Sequence, residues 1–297
     1  MKKFYWMVLV LGLSFIAVSS VQSKQEEEVV NTIPVAKGIY MLESQGSGNI
    51  GVFVGEDGVL IIDDKFAPLA EKIQKSLGIL GGGKPKFILN THWHGDHTGG
   101  NEIFGAGGTI IAHDNVRKRL STKQEIKLFN MVSEPHPKVA LPVITFDNSL
   151  SVHFNGEEIK VIHFAQGHTD GDSVIFFTQS NVVHLGDHFF NGTYPFIDLN
   201  SGGSVQGVID NIAKILEMIP EDAKIIPGHG PLASVDDLKS FHGMLIETST
   251  LVKKFIAQSK NLKEIKKIGL SEEITSKWAK GFLTTEQWID ILYNSYK

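Results

Sequence analysis

The chain has 297 residues, of which 42% are hydrophobic and 21% are charged, and its formal net charge at pH 7 is −5. This composition supplies a packed core and excludes a disordered chain, and the negative charge argues against nucleic acid or an anionic membrane as the main partner. The sequence contains no cysteine, which excludes disulfide and thiolate chemistry and leaves only nitrogen and oxygen ligands for a metal site.

The first 23 residues have the pattern of a secretory signal peptide. Lys2 and Lys3 precede an apolar run over residues 4–18, and small and polar residues follow up to Ser23. A membrane anchor is the alternative, but the run is shorter than the roughly 20 residues of a spanning helix. We expect cleavage after Ser23, export to the periplasm or the medium, no membrane binding by the mature protein, and a net charge of −7, since two lysines are lost.

The rest of the chain alternates predicted strands and helices. Apolar runs predict strands over residues 39–42, 50–54, 59–62, 85–89, 109–112, 143–146, 159–164, 173–177 and 182–185. Helical spacing predicts helices over residues 67–77 and 114–132. The pattern is mixed α/β, and the absence of a linker or repeat favours a single domain over residues 24–297.

The last third of the chain has clear helix start signals. Ser204 is a good N-cap for a helix running to Met218, and Ser234 caps another that could reach residue 260. Thr284 and Gln287 form a capping box for a last helix that ends near residue 296. The C-terminal part, from about residue 233, is therefore predicted to be helical.

A histidine-rich segment, Thr91-His92-Trp93-His94-Gly95-Asp96-His97, directly follows a predicted strand. In an extended loop the alternation of side chains would place His92, His94 and Asp96 on one side, with His97 pointing elsewhere. Gly95 would let the chain bend, so that Asp96 and His97 could address a second metal. Such a dense group of ligand-type residues rarely arises by chance and predicts a metal site.

Three more ligand-type residues lie in glycine-containing turns at or near the ends of predicted strands: His168, Asp187 and His229. Loops at strand ends are places where a rigid sheet can hold functional groups. Each turn alone is weak evidence, because an isolated Gly-His turn is more often structural. Together, and in this order after the histidine-rich segment, they support the metal site.

These residues resemble the signature of the metallo-β-lactamase superfamily, over about residues 38–231. The resemblance implies an αββα sandwich with the metals at one edge, between the sheets. It implies two groups of ligands joined by one residue: His92, His94 and His168 for one metal, Asp96, His97 and His229 for the other, and Asp187 as the bridge. It also implies that Asp63, with Asp64 as a possible substitute, supports the histidine-rich loop by hydrogen bonds.

The ligand set is similar to that of the glyoxalase II, lactonase and periplasmic hydrolase branches. The best-known β-lactamases of the superfamily have a cysteine, or no ligand, where this chain has Asp187. Flavodiiron relatives have a glutamate at the place of His94, so diiron redox chemistry is disfavoured. The implied function is hydrolysis of a small-molecule ester, thioester, lactone or β-lactam by two zinc ions, with iron or manganese as other metals.

In this hypothesis a hydroxide shared by the two metals, oriented by Asp96, attacks a polarised carbonyl. Three alternatives remain: an iron-dependent sulfur dioxygenase of the same fold, a weak or promiscuous β-lactamase, and a metal-binding protein without catalysis. Near Asp187, the side chain of His188 could touch the substrate, and Asn191 and Tyr194 could donate hydrogen bonds to an oxyanion. Packing of this loop over the sheet explains the same residues equally well.

The remaining groups are expected to be structural. A lysine run could bind an acidic substrate such as glutathione, but a solvated helix face is the preferred interpretation for Lys253, Lys254, Lys260, Lys263, Lys266 and Lys267. Four aromatic residues are expected to pack the terminal helices onto the core: Trp278, Phe282, Trp288 and Tyr293. The histidines at positions 113, 136, 153, 163, 184 and 242 are expected to be structural or solvated.

Overall fold

The computed structural model describes residues 28–297, so the predicted signal peptide lies outside the described residues. The strands are β1 Asn31–Ala36, β2 Ile39–Glu43, β3 Ile50–Gly55, β4 Gly58–Ile62, β5 Phe87–Leu89, β6 Thr109–His113, β7 Gln124–Ile126, β8 Met131–Ser133, β9 Ile144–Phe146, β10 Ser149–Phe154, β11 Glu157–His163, β12 Ser173–Phe177, β13 Val182–His184 and β14 Lys224–Ile226. The helices are α1 Ala70–Ile79, α2 Gly95–Thr98, α3 Asn101–Phe104, α4 Asp114–Leu120, α5 Val205–Met218, α6 Val235–Ala257, α7 Leu262–Ile268, α8 Glu272–Trp278 and α9 Thr285–Tyr296.

Two large sheets divide the chain between them. The first has the strand order β1-β2-β3-β4-β5-β6-β9, antiparallel from β1 to β4 and parallel from β4 onwards. The second has the order β10-β11-β12-β13-β14 and is antiparallel except for the parallel pair β13 and β14. The parallel strands send their carboxyl ends to a common edge, where loops can meet.

The sheets pack face to face, with helices on both outer surfaces. Between them lies a buried core in which the ring of Phe53 from the first sheet meets that of Phe177 from the second, edge to face at 5.5 Å. Ile73 and Leu77 of α1 cover the outside of the first sheet. Helices α5, α6 and α9 cover the second with residues such as Phe241. This is the predicted αββα sandwich, and the fold class is confirmed.

One predicted helix is wrong over most of its length. The helix expected over residues 114–132 ends at Leu120 and is followed by the hairpin β7–β8. The hydroxyls of Ser121 and Thr122 both donate to the carbonyl of Lys118, an acceptor that a continuing helix would use itself. At the tip of the hairpin, Asn130 adopts a left-handed backbone conformation.

Other differences are additions to the predicted elements. Strands β1, β10 and β14 and helices α7 and α8 were not predicted, although β10 alternates polar and apolar residues and α7 begins at a capping box of Asn261 and Glu264. The N-cap at Ser234 and the capping box at Thr284 are formed as predicted, and α6 ends three residues before the predicted limit. None of the helices formed by residues 28–297 has the length and hydropathy of a membrane span.

Candidate metal centre

The seven predicted ligands come together at one edge of the two sheets. His92 and His94 follow β5, and His168 lies in the loop between β11 and β12. Asp187 lies in the turn after β13, and His229 follows β14. The described residues place potential ligand atoms in two clusters, each with all atoms within 4.8 Å of one another: His92, His94, His168 and Asp187 in one, and Asp96, His97 and His229 in the other.

The first cluster is a buried site of three imidazoles and one carboxylate. The Nδ1 atom of His94 lies 3.1 Å from Nε2 of His92 and 2.8 Å from Nε2 of His168. The Oδ2 atom of Asp187 lies 3.3 Å from Nε2 of His168 and 3.8 Å from Nε2 of His92. The ligand atoms of a tetrahedral zinc ion are about 3.4 Å apart, so this cluster fits one ion.

The second cluster is more open to solvent. The Oδ2 atom of Asp96 lies 3.5 Å from Nε2 of His97 and 3.2 Å from Nε2 of His229, and the two nitrogens are 3.4 Å apart. His97 is fully buried, whereas about a fifth of the side chains of Asp96 and His229 is exposed, 22% and 21% respectively. These separations also match those expected around a zinc ion.

Asp187 faces both clusters with different oxygens. Its Oδ2 belongs to the first cluster, while its Oδ1 lies 3.1 Å from Nε2 of His97 and 3.5 Å from Nε2 of His229. Oδ1 is buried and has no hydrogen bond within the described part of the chain. A buried carboxylate oxygen without a hydrogen bond is costly unless a cation balances it. The geometry therefore suits a carboxylate that joins two metals.

In four of the histidines, the ring nitrogen that does not face a cluster is held by a hydrogen bond. This directs the other ring nitrogen towards its cluster. His168 Nδ1 donates to the carbonyl of Phe196 at 2.7 Å, and His94 Nε2 donates to Oδ2 of Asp198 at 3.2 Å. His97 Nδ1 donates to Oδ2 of Asp63 at 2.7 Å, and His92 Nδ1 lies 3.0 Å from the hydroxyl of Thr91. Such hydrogen bonds fix the tautomer and leave the other nitrogen free for a metal.

Asp63 is placed where the resemblance implied. Besides accepting from His97, its carboxylate accepts from the backbone N–H and the hydroxyl of Thr91, both at 2.7 Å. The residue has a φ of 62°, a left-handed conformation that turns the chain at the end of β4. Asp64 is not a substitute in this role, because its carboxylate accepts from the N–H of Gly100 instead.

Asp198 and Lys65 were missed by sequence reasoning. Asp198 stands 104 positions after His94, and its only local signal is the turn that it caps by accepting from Asn200 and Ser201. Lys65 is completely buried, and its ammonium donates to the carbonyl of Gly48, which holds the β2–β3 loop beside the centre. Burial lowers the pKa of Lys65 to about 8.

The charges of the two clusters differ. Burial lowers the pKa of His92 well below its usual value and that of His168 to about 4, so both are neutral at pH 7. Burial also lowers the pKa values of His97 and His229, but the carboxylates of Asp187 and Asp96 raise them by more. The pKa of His97 is held well above its usual value and that of His229 at about 9. Protons on these two imidazoles balance the carboxylates, as a divalent cation could.

The histidine-rich segment is not the extended loop that we predicted. His94 is the N-cap of α2, a single helical turn that contains Gly95, Asp96 and His97. The turn, rather than strand-like alternation, sends His94 to the first cluster and the next two ligands to the second. Gly95 needs no special conformation, because its φ is not positive and a Cβ there would meet only the ring of Phe66 at 3.6 Å.

The glycine before His229 has a clear steric reason. A Cβ at Gly228 would lie 2.1 Å from Oδ1 of Asp187, which is far inside van der Waals contact. Only a residue without a side chain lets the β14 loop approach the carboxylate of Asp187 so closely. The Gly-His turn is thus part of the centre, although nothing in the turn itself shows this from sequence.

A cleft of about 1060 Å³ opens onto both clusters, and its lining includes His94, Asp96, Asp187 and His229. The three predicted substrate contacts are not on that lining. Tyr194 is buried with its ring stacked on Trp288, His188 is buried beside Asn211, and the amide of Asn191 donates to the carbonyl of Pro231. In each case packing or a local hydrogen bond turns the side chain away from the cleft.

Three of the four aromatic residues predicted to lie in the core do so, and the fourth lines the cleft. Trp278, Trp288 and Tyr293 are buried among the terminal helices, as expected. Phe282 differs: 55% of it is exposed, and it lines the cleft. Lysines of the C-terminal run do not line the cleft; Lys266 pairs with Asp290, and Lys253 donates to Gln206 on α5. The solvated-face interpretation of that run fits these positions.

Comparison with known proteins points to one family. The protein-family model described as the Metallo-beta-lactamase superfamily matches residues 44–229, more than half of the chain. A hydroxyacylglutathione hydrolase of Prochlorococcus marinus strain NATL1A is 26% identical over 186 residues, which cover 61% of this chain and 63% of that protein. A hydroxyacylglutathione hydrolase of Nitrosococcus oceani is 30% identical over 146 residues, 48% of this chain and 47% of that protein. The chain thus matches about half to two thirds of the length of these relatives.

Solved structures give the same fold. A metallo-beta-lactamase from Pontibacter korlensis superposes with a TM-score of 0.58 at 16% identity, covering 73% of this chain and 98% of that one. The stereoselective inverting sec-alkylsulfatase Pisa1 from Pseudomonas sp. superposes with a TM-score of 0.67 at 15% identity, covering 90% of this chain and 50% of that one. At these identities the likeness concerns the fold alone. All seven residues of the two clusters lie within the segment matched by the protein-family model, and the chain belongs to the metallo-β-lactamase superfamily.

Proposed function

We propose that this chain is an exported hydrolase that uses two zinc ions to cleave the acyl C–O, C–S or C–N bond of a small-molecule ester, thioester, lactone or β-lactam. The observation that carries the proposal is Asp187, whose two oxygens lie 3.3 Å from His168 and 3.1 Å from His97. Seven ligands around one shared carboxylate are too many for a single tetrahedral ion. The hydroxyacylglutathione hydrolases among the relatives support hydrolysis, and residues 1–23 support export.

The residues of the chain divide the work between them. When bound, zinc ions supply Lewis-acid chemistry, polarising a carbonyl and lowering the pKa of a water molecule. His92, His94 and His168 would hold one ion against the buried wall of the centre, and His97 and His229 the other. Asp96 lies at the floor of the cleft, where its carboxylate can orient the attacking water. Its pKa, which burial alone would raise, is held well below the usual range by His97 and His229, so it remains ionised.

The test is a metal analysis combined with a substrate screen. Protein recovered from the periplasm or medium of an expression host, without added metal, should contain about two zinc ions per chain and begin at Lys24. It should hydrolyse at least one member of a panel of esters, thioesters, lactones and β-lactams, and a chelator should abolish that activity. One iron and no zinc would overturn the proposal in favour of the dioxygenase, and full metal without hydrolysis would favour a binding protein.

A further inference from the structure

The cleft above the two clusters has a continuous aromatic wall. The ring of Phe190 is stacked on His229 with centroids 4.8 Å apart, and the ring of Phe196 lies 5.7 Å from His94. Both phenylalanines are buried, and both line the cleft. The cleft therefore has an apolar surface that touches both clusters.

A second layer extends this wall towards the mouth of the cleft. Phe129, at the tip of the β7–β8 hairpin, lies 4.9 Å from Phe196, and Phe282 lies 5.9 Å from Phe129 and 6.3 Å from Phe190. Ile126 and Met131 of the same hairpin also line the cleft. Exposed apolar side chains grouped at the mouth of a functional cleft mark a binding surface for apolar groups.

Away from the ligands of the two clusters, the charged part of the lining is acidic. Among residues 28–297 no lysine or arginine lines the cleft, whereas Glu28 and Glu43 do, in addition to the carboxylates of the centre. A glutathione thioester places its free carboxylates away from the scissile bond, where Glu28 and Glu43 lie and where the described lining has no lysine or arginine to pair with them. Like charges brought together in a partly buried cleft oppose binding.

On these two grounds we propose that the substrate is a neutral carboxylic ester or thioester with a medium-chain or aromatic acyl group, which lies against the aromatic wall. The inference rests on the proposed function and narrows it. Water adds to the carbonyl carbon, the C–O or C–S bond breaks, and the proton of the water passes to the leaving alcohol or thiol. The products are a medium-chain or aromatic carboxylic acid and a neutral alcohol or thiol.

The first test is an acyl series with a constant leaving group. For the zinc-loaded protein, kcat/KM should rise from p-nitrophenyl acetate through the butyrate to the octanoate, by up to about fourfold for each methylene that is buried. At equal acyl length, S-octanoyl-N-acetylcysteamine should be cleaved at least about tenfold more efficiently than S-octanoylglutathione, because the carboxylates of glutathione would lie near Glu28 and Glu43.

Two variants assign the preference to the wall. Phe282→Ser should lower the octanoate-to-acetate ratio of kcat/KM by about tenfold, through lost burial of the chain. Phe282→Lys should in addition reduce the ratio of kcat/KM for S-octanoyl-N-acetylcysteamine to kcat/KM for S-octanoylglutathione. Val143→Ser is the matched control, since Val143 is 69% exposed and does not line the cleft, and it should leave the ratio unchanged.

The outcomes separate this inference from the proposed function. Zinc-dependent hydrolysis of acetate and octanoate with equal kcat/KM, or a preference for S-octanoylglutathione, would overturn the inference and leave the hydrolase intact. No zinc-dependent hydrolysis of any member of the series would overturn the inference, and the absence of hydrolysis of the lactones and β-lactams of the wider panel as well would overturn the proposed function. A chain-length preference that Phe282→Ser does not change would show that the wall does not bind the acyl group, and would also overturn the inference.

Discussion

The two ligand clusters differ in burial and in charge, although one carboxylate joins them. All four residues of the first are buried, and the pKa values of His92 and His168 are lowered by burial. The second is partly exposed, and the pKa values of its two histidines are raised by Asp187 and Asp96 despite burial. A metal ion that enters the first cluster therefore displaces no added proton from His92 or His168. A metal ion that enters the second cluster must displace a proton from each of its two histidines, His97 and His229. We expect the first cluster to bind the first metal, and the second to be weaker and closer to the substrate.

The largest expected effect is that of removing the bridge. Asp187→Asn is nearly isosteric, but the neutral amide cannot give one oxygen to each metal. The variant should keep a native circular-dichroism spectrum, bind about one zinc ion instead of two, and lose at least about 100-fold in turnover. Asp222→Asn is the control, because this carboxylate is exposed and belongs neither to the clusters nor to the cleft lining. Full activity with two zinc ions bound would show that Asp187 is not a ligand.

The next effect is the pH dependence of the two metals. At pH 7 His97 and His229 are protonated in the metal-free protein, because their pKa values are raised, the latter to about 9. Binding of the second metal should release about two protons, and its affinity should fall by up to about 100-fold per pH unit below pH 7. Calorimetry in two buffers of different ionisation enthalpy measures the release. Greater proton release with the first metal would reverse our assignment.

A smaller effect is expected at Asp198, which acts on the first metal through His94. In Asp198→Asn the side-chain oxygen can accept either from His94 or from the turn at Asn200 and Ser201, but not from both as the carboxylate does. Affinity for the first zinc should fall by about tenfold, at the low end for partners of ligand histidines. Asp222→Asn serves again as the control. A change confined to the second metal would contradict the link.

A residue of the centre can be predicted from sequence when the signal for it lies in neighbouring positions of the chain. Six adjacent positions contain His92, His94, Asp96 and His97, and glycines next to His168, Asp187 and His229 mark turns, so the ligands could be found. Asp198 could not, because its link to His94 spans 104 positions and depends on the fold. The fold class followed from the same residues through a family resemblance rather than from the strands, whose apolar runs do not specify which strands pair.

The hairpin β7–β8 shows the opposite case. Its residues have apolar spacing that suits a helix, and the prediction over residues 114–132 followed that spacing. In the folded chain Ile126 and Phe129 turn towards the cleft, while Met131 and Val132 are about half exposed. Local periodicity contains no information about a cleft formed by residues elsewhere in the chain, so this part of the cleft lining was the part least predictable from sequence.

The smallest expected effect is at Gly95, which stands between His94 of the first cluster and Asp96 of the second. We expected this glycine to let the chain bend, but it lies in a regular helical turn with room for a Cβ, whose nearest neighbour would be Phe66 at 3.6 Å. Alanine is favoured over glycine in a helix by about 1 kcal/mol. Gly95→Ala should therefore bind two zinc ions with unchanged affinities and melt at the same or a slightly higher temperature.

Gly228→Ala is the matched comparison, because its Cβ would lie 2.1 Å from Oδ1 of Asp187 and must displace the bridge. That variant should lose at least one zinc ion, whereas Gly95→Ala should lose none, and zinc stoichiometry with thermal melting measures both. If Gly95→Ala also lost the second metal, backbone freedom at this position would be what separates the two clusters. The helical turn would then be one of several conformations that the centre needs, and the unequal burial of the two clusters would no longer suffice to explain their different affinities.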